Sequence, residues 1–180
     1  MNRGGHRASA AVVAAVLLGT AVGSAAPARA DDASRVLTII RRIVDLNAGK
    51  EVSRTTTDGN KIDINLSSDV LFSFGKAELS PGAQQTLKLA ADQLGKAKSG
   101  AVHVDGYTDD KGSDGVNLPL SSERAKSVAD ALGAMVGSGF RFQVTGHGAA
   151  DPVAPNSSPD GSDNPLGRAL NRRVSLSFQR

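Results

Sequence analysis

Residues 100–146 read GAVHVDGYTDDKGSDGVNLPLSSERAKSVADALGAMVGSGFRFQVTG. Val102 and Val104 alternate with polar neighbours, as in a half-buried strand that stops at Gly106. An Asp- and Gly-rich loop, Tyr107 to Leu118, follows. Pro119 then suits the first position of a helix, where its missing N–H costs nothing. Ala125, Val128, Ala129, Leu132, Met135 and Val136 share one face of that helix, and Gly137 to Gly139 closes it. Phe140, Phe142 and Val144 alternate again. A strand, a helix and a strand in one run imply a crossover and parallel pairing.

The same grammar extends in both directions. Upstream, Ser80-Pro81 reads as N-cap and first helical residue. Leu87, Ala90, Ala91, Leu94 and Ala97 form the buried stripe, with Gly100 as the exit. Val70, Phe72 and Phe74 predict a strand ending near Gly75. Ile62, Ile64 and Leu66 predict another, joined to Glu51–Thr57 through the tight-turn dipeptide Asp58-Gly59. Val36, Ile39, Ile40, Ile43 and Val44 give Asp31 to Leu46 helical periodicity. Downstream, residues 147–167 hold four of the seven prolines and read as a long surface loop. Gly167 to Asn171 forms a short helical turn, and Val174, Leu176 and Phe178 a last strand. The expected fold is α+β, a two-layer α/β sandwich. Its βαβαββ mixed sheet carries two main helices on one face.

Residues 1–30 differ from the rest. Arg3 and Arg7 precede an apolar run, Ala10 to Leu18, and Ala28-Arg29-Ala30 places small residues where a signal peptidase needs them. Cleavage before Asp31 is expected. An uncleaved anchor is the alternative, but a span needs about 20 apolar residues, and this run weakens at Gly19, Thr20 and Gly23. No other stretch suits a membrane helix, so the mature chain is expected to have no transmembrane segment. The expected units are a signal peptide (1–30), a helix with a hairpin strand (31–61) and a domain over 62–180.

Charge is informative in its distribution. Of 21 basic side chains, three lie in residues 1–30 with no acid, which leaves 18 basic and 18 acidic ones beyond. A balanced mature chain gives no electrostatic reason to bind nucleic acid. The absence of Cys excludes disulfides, thiolate-bound zinc, iron–sulfur clusters, thiol catalysis and lipid attachment to a cysteine. His103 and His147 lack metal-ligand spacing and read as surface residues. The run Asp109–Gly115 departs from a calcium loop at Gly112 and Ser121, so Asx and Gly turn chemistry describes it better. No Gly-x-Ser-x-Gly elbow is present. No enzyme, cofactor or metal is expected.

One charge pair stands out. Asp109 lies just beyond a strand end. Arg124 opens the next helix one residue before its apolar stripe, rotated from the buried face by about 100°. Such an acid and guanidinium at one mouth of a sheet could hold a zwitterion, the carboxylate taking an ammonium and the guanidinium a carboxylate. The same spacing fits a structural ion pair, or two unrelated surface charges.

Four stretches, in order, resemble the OmpA-like C-terminal domain. They are Val70-Leu71-Phe72-Ser73-Phe74-Gly75, Gly106-Tyr107-Thr108-Asp109, Asn117 through Ala125, and Gly167 through Val174. The likeness covers roughly residues 62–180. It implies a peptidoglycan-binding module like those of peptidoglycan-associated lipoprotein and flagellar stator proteins. Asp109 and Arg124 match the family positions that grip diaminopimelate in the stem peptide. Thr108 and the loop after Phe74 would line the groove, and Asn117 would shape the loop or touch ligand. Asn171 and Arg172 match a block bordering the site. Arg168, Arg172 and Arg173 are each either ligand contacts or solvated charges. Ser73 stands where the family often has Asp, which would weaken one contact. The resemblance implies peptidoglycan as partner, an envelope protein as a further candidate partner, and location in the cell envelope or outside the cell. The alternative is a secreted protein-interaction module that has kept the fold and lost the wall ligand.

Overall fold

The strands form one mixed sheet in the order β1-β2-β3-β6-β4-β5. They are β1 (Ile39–Asp45), β2 (Lys50–Asp58), β3 (Lys61–Ser67), β4 (Gly100–Gly106), β5 (Phe140–Gly146) and β6 (Arg173–Gln179). A computed structural model describes residues 39–45, 50–97 and 99–180. The expected signal peptide and residues 31–38 lie outside the described residues. Only β4 and β5 run parallel; all other neighbours are antiparallel. The helices are α1 (Ser68–Leu71), α2 (Ala83–Leu94), α3 (Asp114–Val136) and α4 (Pro165–Asn171).

Period-two alternation puts three rows of side chains under the helices. Ile62, Phe178, Val102 and Phe142 are in register, as are Ile64, Leu176, Val104 and Val144. Leu87, Ala90 and Leu94 of α2 and Ala125, Val128 and Leu132 of α3 cover them, all buried. The third row runs Leu66, Val174, Gly106, Gly146. Its two glycines let α3 cross at backbone contact. A Cβ on Gly106 would sit 2.0 Å from the Ser121 carbonyl oxygen, and one on Gly146 would sit 2.4 Å from Ser122 N. The far face of the sheet is polar, with Asp63, Asn65, His103, Ser175 and Ser177 on it.

Four expectations need correction. Residues 39–45 form strand β1, paired with β2 from Ile39↔Thr57 onward, rather than part of a helix. The pairing partner, invisible to local periodicity, decides their state. The expected strand over Val70–Gly75 is the helical turn α1 followed by a single bridge, Phe72↔Leu79. Leu71 and Phe72 are both buried while Phe74 is fully exposed, so alternation fails there. Helix α2 starts at Ala83, because the Ser80 hydroxyl donates to the Val70 carbonyl at 2.9 Å instead of capping. Helix α3 starts at Asp114 and carries Pro119 inside its N-terminal part.

Candidate functional site

Three neighbouring strands bring the charged residues together. Because β6 lies between β3 and β4, its start faces their ends. Ser67 pairs with Arg173, and Gly106 pairs with Val174. Ser68 N donates to the Arg172 carbonyl at 2.9 Å, and Tyr107 N donates to the Arg173 carbonyl at 2.9 Å. Asp69 on α1, Arg172 after α4 and Asp109 beyond β4 therefore meet at one rim. Helix α3, seated on the two glycines, delivers Arg124 to the same place.

Arg172 is the hub. Its Nε and Nη2 donate to the two Asp69 oxygens at 2.8 and 2.6 Å, and its Nη1 donates to Asp109 Oδ2 at 2.7 Å. The bond to Asp69 is the main influence raising the Arg172 pKa; partial burial opposes it, and the bond to Asp109 adds to the rise. Arg168 Nε lies 3.6 Å from the same Asp109 oxygen, and its Nη1 abuts Asp163 Oδ1. The other Asp109 oxygen accepts the Lys111 N–H at 3.1 Å, an Asx turn.

Arg124 is held differently. Its Nε donates to the Lys76 carbonyl at 2.9 Å, and its guanidinium carbon stands 5.2 Å from the centre of the Phe72 ring. Among the described residues no carboxylate comes within ion-pair distance of it. Burial lowers its pKa; Asp69 and Asp109 counter that, while Arg172 reinforces it. The terminal nitrogens thus form a fixed, partly desolvated cation within electrostatic reach of Asp69, Asp109 and Arg172.

The remaining sequence-derived candidates sit around this rim. Thr108 is buried; its N–H donates to the Gly148 carbonyl at 2.7 Å and its hydroxyl to the Asp109 carbonyl at 2.9 Å. Asn117, also buried, donates to the Lys111 carbonyl at 3.0 Å and so shapes the acidic loop. Asn171 is 1% exposed and bonds residues 153–156. It supports the loop from beneath. Arg173 is drawn away from the rim and lies over the Tyr107 ring at 3.6 Å. His147 stacks on the other side of Tyr107 and meets Asp105 at 3.0 Å. Sequence reasoning missed Asp69. Its Ser-Asp start to a helical turn was a faint signal, and its partner is 103 positions away. Among the described residues no His/Cys/Asp/Glu cluster could hold a metal, and no helix is long and apolar enough to cross a membrane.

This frame has known counterparts. The OmpA family model matches residues 71–164, and the chain belongs to that family. It is 39% identical to the peptidoglycan-binding protein ArfA of Mycobacterium tuberculosis, over 59% of this chain and 31% of ArfA. It is 47% identical to outer membrane protein P5 of Haemophilus influenzae, over 49% of this chain and 25% of that protein. The chain thus spans about a third or less of these curated relatives. Among solved structures, the cell wall anchor of the T6SS from Pseudomonas aeruginosa superposes with a TM-score of 0.61 at 32% identity, covering 71% of this chain and 87% of that one.

Proposed function

We propose that the protein binds cell-wall peptidoglycan without breaking a bond, taking the diaminopimelate of the stem peptide at the Asp109–Arg124 rim. The observation that carries this reading is the unpaired terminal face of Arg124, fixed by its Nε bond to the Lys76 carbonyl at the same end of the sheet as Asp109. The side-chain end of diaminopimelate bears one ammonium and one carboxylate. Arg124 can grip the carboxylate with both terminal nitrogens. Asp109 accepts one protein N–H on each oxygen and keeps acceptor capacity for the ammonium. Thr108, Asn117 and Asn171 hold the loops that frame these groups, and Arg172 fixes Asp109. The names of ArfA and of the T6SS cell wall anchor support the ligand class, and they favour the cell envelope as the place of action. Binding is assigned to residues 62–180, behind an N-terminal export signal.

Charge-assisted hydrogen bonds contribute about 1.5–3 kcal/mol each, so single-site affinity is expected to be weak. Purified sacculi should co-sediment the protein, and free diaminopimelate should compete. Asp109→Ala and Arg124→Ala should each weaken sedimentation by about 10- to 100-fold, the equivalent of one such bond, with the fold retained. Near-normal sedimentation of both variants overturns the site. A protein partner recovered without competition by diaminopimelate would support the interaction-module alternative, and release of soluble muropeptides would indicate a hydrolase.

A further inference from the structure

We infer that Asp69 sets the ligand preference of this rim by occupying two of the three Arg172 nitrogens that face carboxylates, so that Asp109 stays available to a ligand ammonium. The inference rests on the diaminopimelate reading above and concerns a residue that makes no ligand contact in it.

The geometry carries the argument. Arg172 presents a fork whose best partner is one carboxylate held by two parallel bonds. Two carboxylates compete for it. Asp69 receives the paired Nε and Nη2 bonds at 2.8 and 2.6 Å, and Asp109 receives only Nη1. The winner is fixed by backbone structure: the Ser68 N–H bonds the Arg172 carbonyl, and Ser67 pairs with Arg173. Asp69 is therefore anchored opposite Arg172 by the same ladder that starts β6.

Without the Asp69 charge, Arg172 has one carboxylate left to pair with at this rim and would turn its fork onto Asp109. With the Arg168–Asp163 pair included, the balance of three carboxylates and three guanidiniums would become two against three. A rim of that kind still attracts the ligand carboxylate but no longer rewards its ammonium. Asp69 is thus a positioning residue for specificity, acting through Arg172 on Asp109.

The test compares two free competitors in sacculus co-sedimentation with the full chain. One is diaminopimelate. The other is pimelate, the dicarboxylate of the same length with no ammonium at either end. Wild type should be displaced by diaminopimelate at a concentration at least about 10-fold lower, since one charge-assisted bond is missing from the other compound. Asp69→Asn, with a thermal melt as fold control, should narrow that ratio to about 2-fold or less, and Asp69→Glu should keep it wide. Arg172→Gln should push the ratio above wild type, because it removes the neutralising cation instead; this arm decides the matter if Asp69→Asn does not fold. An unchanged ratio in Asp69→Asn, or a ratio lowered by Arg172→Gln, overturns the inference and leaves the wall-ligand reading standing. Equal competition by both compounds on wild type does the same. Competition by neither overturns the wall-ligand reading, and this inference with it.

Discussion

Asn171 uses every hydrogen-bonding position of its side-chain amide on a single loop. The oxygen accepts from Val153 N and Ala154 N at 2.8 and 3.0 Å. The nitrogen donates to the Ala154 carbonyl and to Asn156 Oδ1, both at 2.8 Å. Truncation would strand buried polar groups, each costing about 1–3 kcal/mol. Asn171→Ala should lower stability by at least about 2 kcal/mol, seen as a drop in the urea midpoint with little change in m. Asn171→Asp should be worse, since it replaces a double donor with an acceptor facing two acceptors. The family resemblance alone singled out Asn171, as a residue bordering the site. Its purpose was not legible, because that depends on a loop 15 to 18 positions away. The spacing singled out Asp109 and Arg124, yet Asp109 pairs with Arg172 and Arg124 is buried rather than turned off the packed face. What the sequence did not show is that Arg172 lies between Asp109 and Asp69. Tyr107 offers a check by pH. Burial chiefly, and Asp105 next, raise its pKa above the usual phenol value of 10.0, against the opposing pull of Arg173. The folded state therefore holds this proton more tightly than the unfolded chain does. Stability from this source is intact below pH 10 and declines as pH rises from there through the folded-state pKa. Tyr107→Phe should flatten that alkaline decline in denaturation curves measured from pH 8 to 11.

Helix α3 shows how an element is placed by what it lacks room for. Gly106 and Gly146 end adjacent parallel strands in register, and both would drive a Cβ into the α3 backbone. Backbone cannot swing aside as a side chain can, so Gly106→Ala must lift the helix. Overpacking of this kind costs about 1–3 kcal/mol or more. Because Arg124 lies one turn beyond Ser121, the same shift should also weaken sacculus sedimentation, whereas Leu132→Ala, farther along α3, should cost about 2–5 kcal/mol and leave binding by the folded fraction intact. Comparing urea midpoints with sedimentation separates the two effects. The elements themselves were unevenly legible. Strands β3 and β6 alternate cleanly because one face is packed and the other polar, and both were readable from sequence. The α3 stripe was readable too. Its start was not, since Pro119 looks like a first helical residue and instead sits five positions past Asp114. Around Phe72, the alternation of Val70, Phe72 and Phe74 suggests a strand that is absent: Leu71 and Phe72 are buried side by side and Phe74 is fully exposed. In β1, apolar residues spaced as on a helix face are paired as a strand, since tertiary pairing overrides local pattern.

Over the whole molecule, every buried hydrophobic residue of the described core lies between Ile62 and Phe178. The hairpin strand β2 contributes pairing along β3, from Ser53↔Leu66 to Asp58↔Lys61, and β1 extends that edge further. The charged rim draws on α1, the loop after β4, α3 and the end of α4, all within the same span. The described core and the charged rim both lie between Ile62 and Phe178, and the hairpin extends the sheet beside them. A fragment of residues 60–180, which retains the start of β3, should therefore fold on its own. It should melt cooperatively, with a midpoint lower than that of the full chain because β3 becomes an exposed edge, and should sediment with sacculi as the full chain does. Exposed edges invite strand pairing between chains, so the fragment should also self-associate more readily at high concentration. Circular dichroism, a thermal melt and light scattering on the two forms decide this. A fragment that is unfolded, or folded but unable to sediment, would move the boundary of the binding unit into the hairpin.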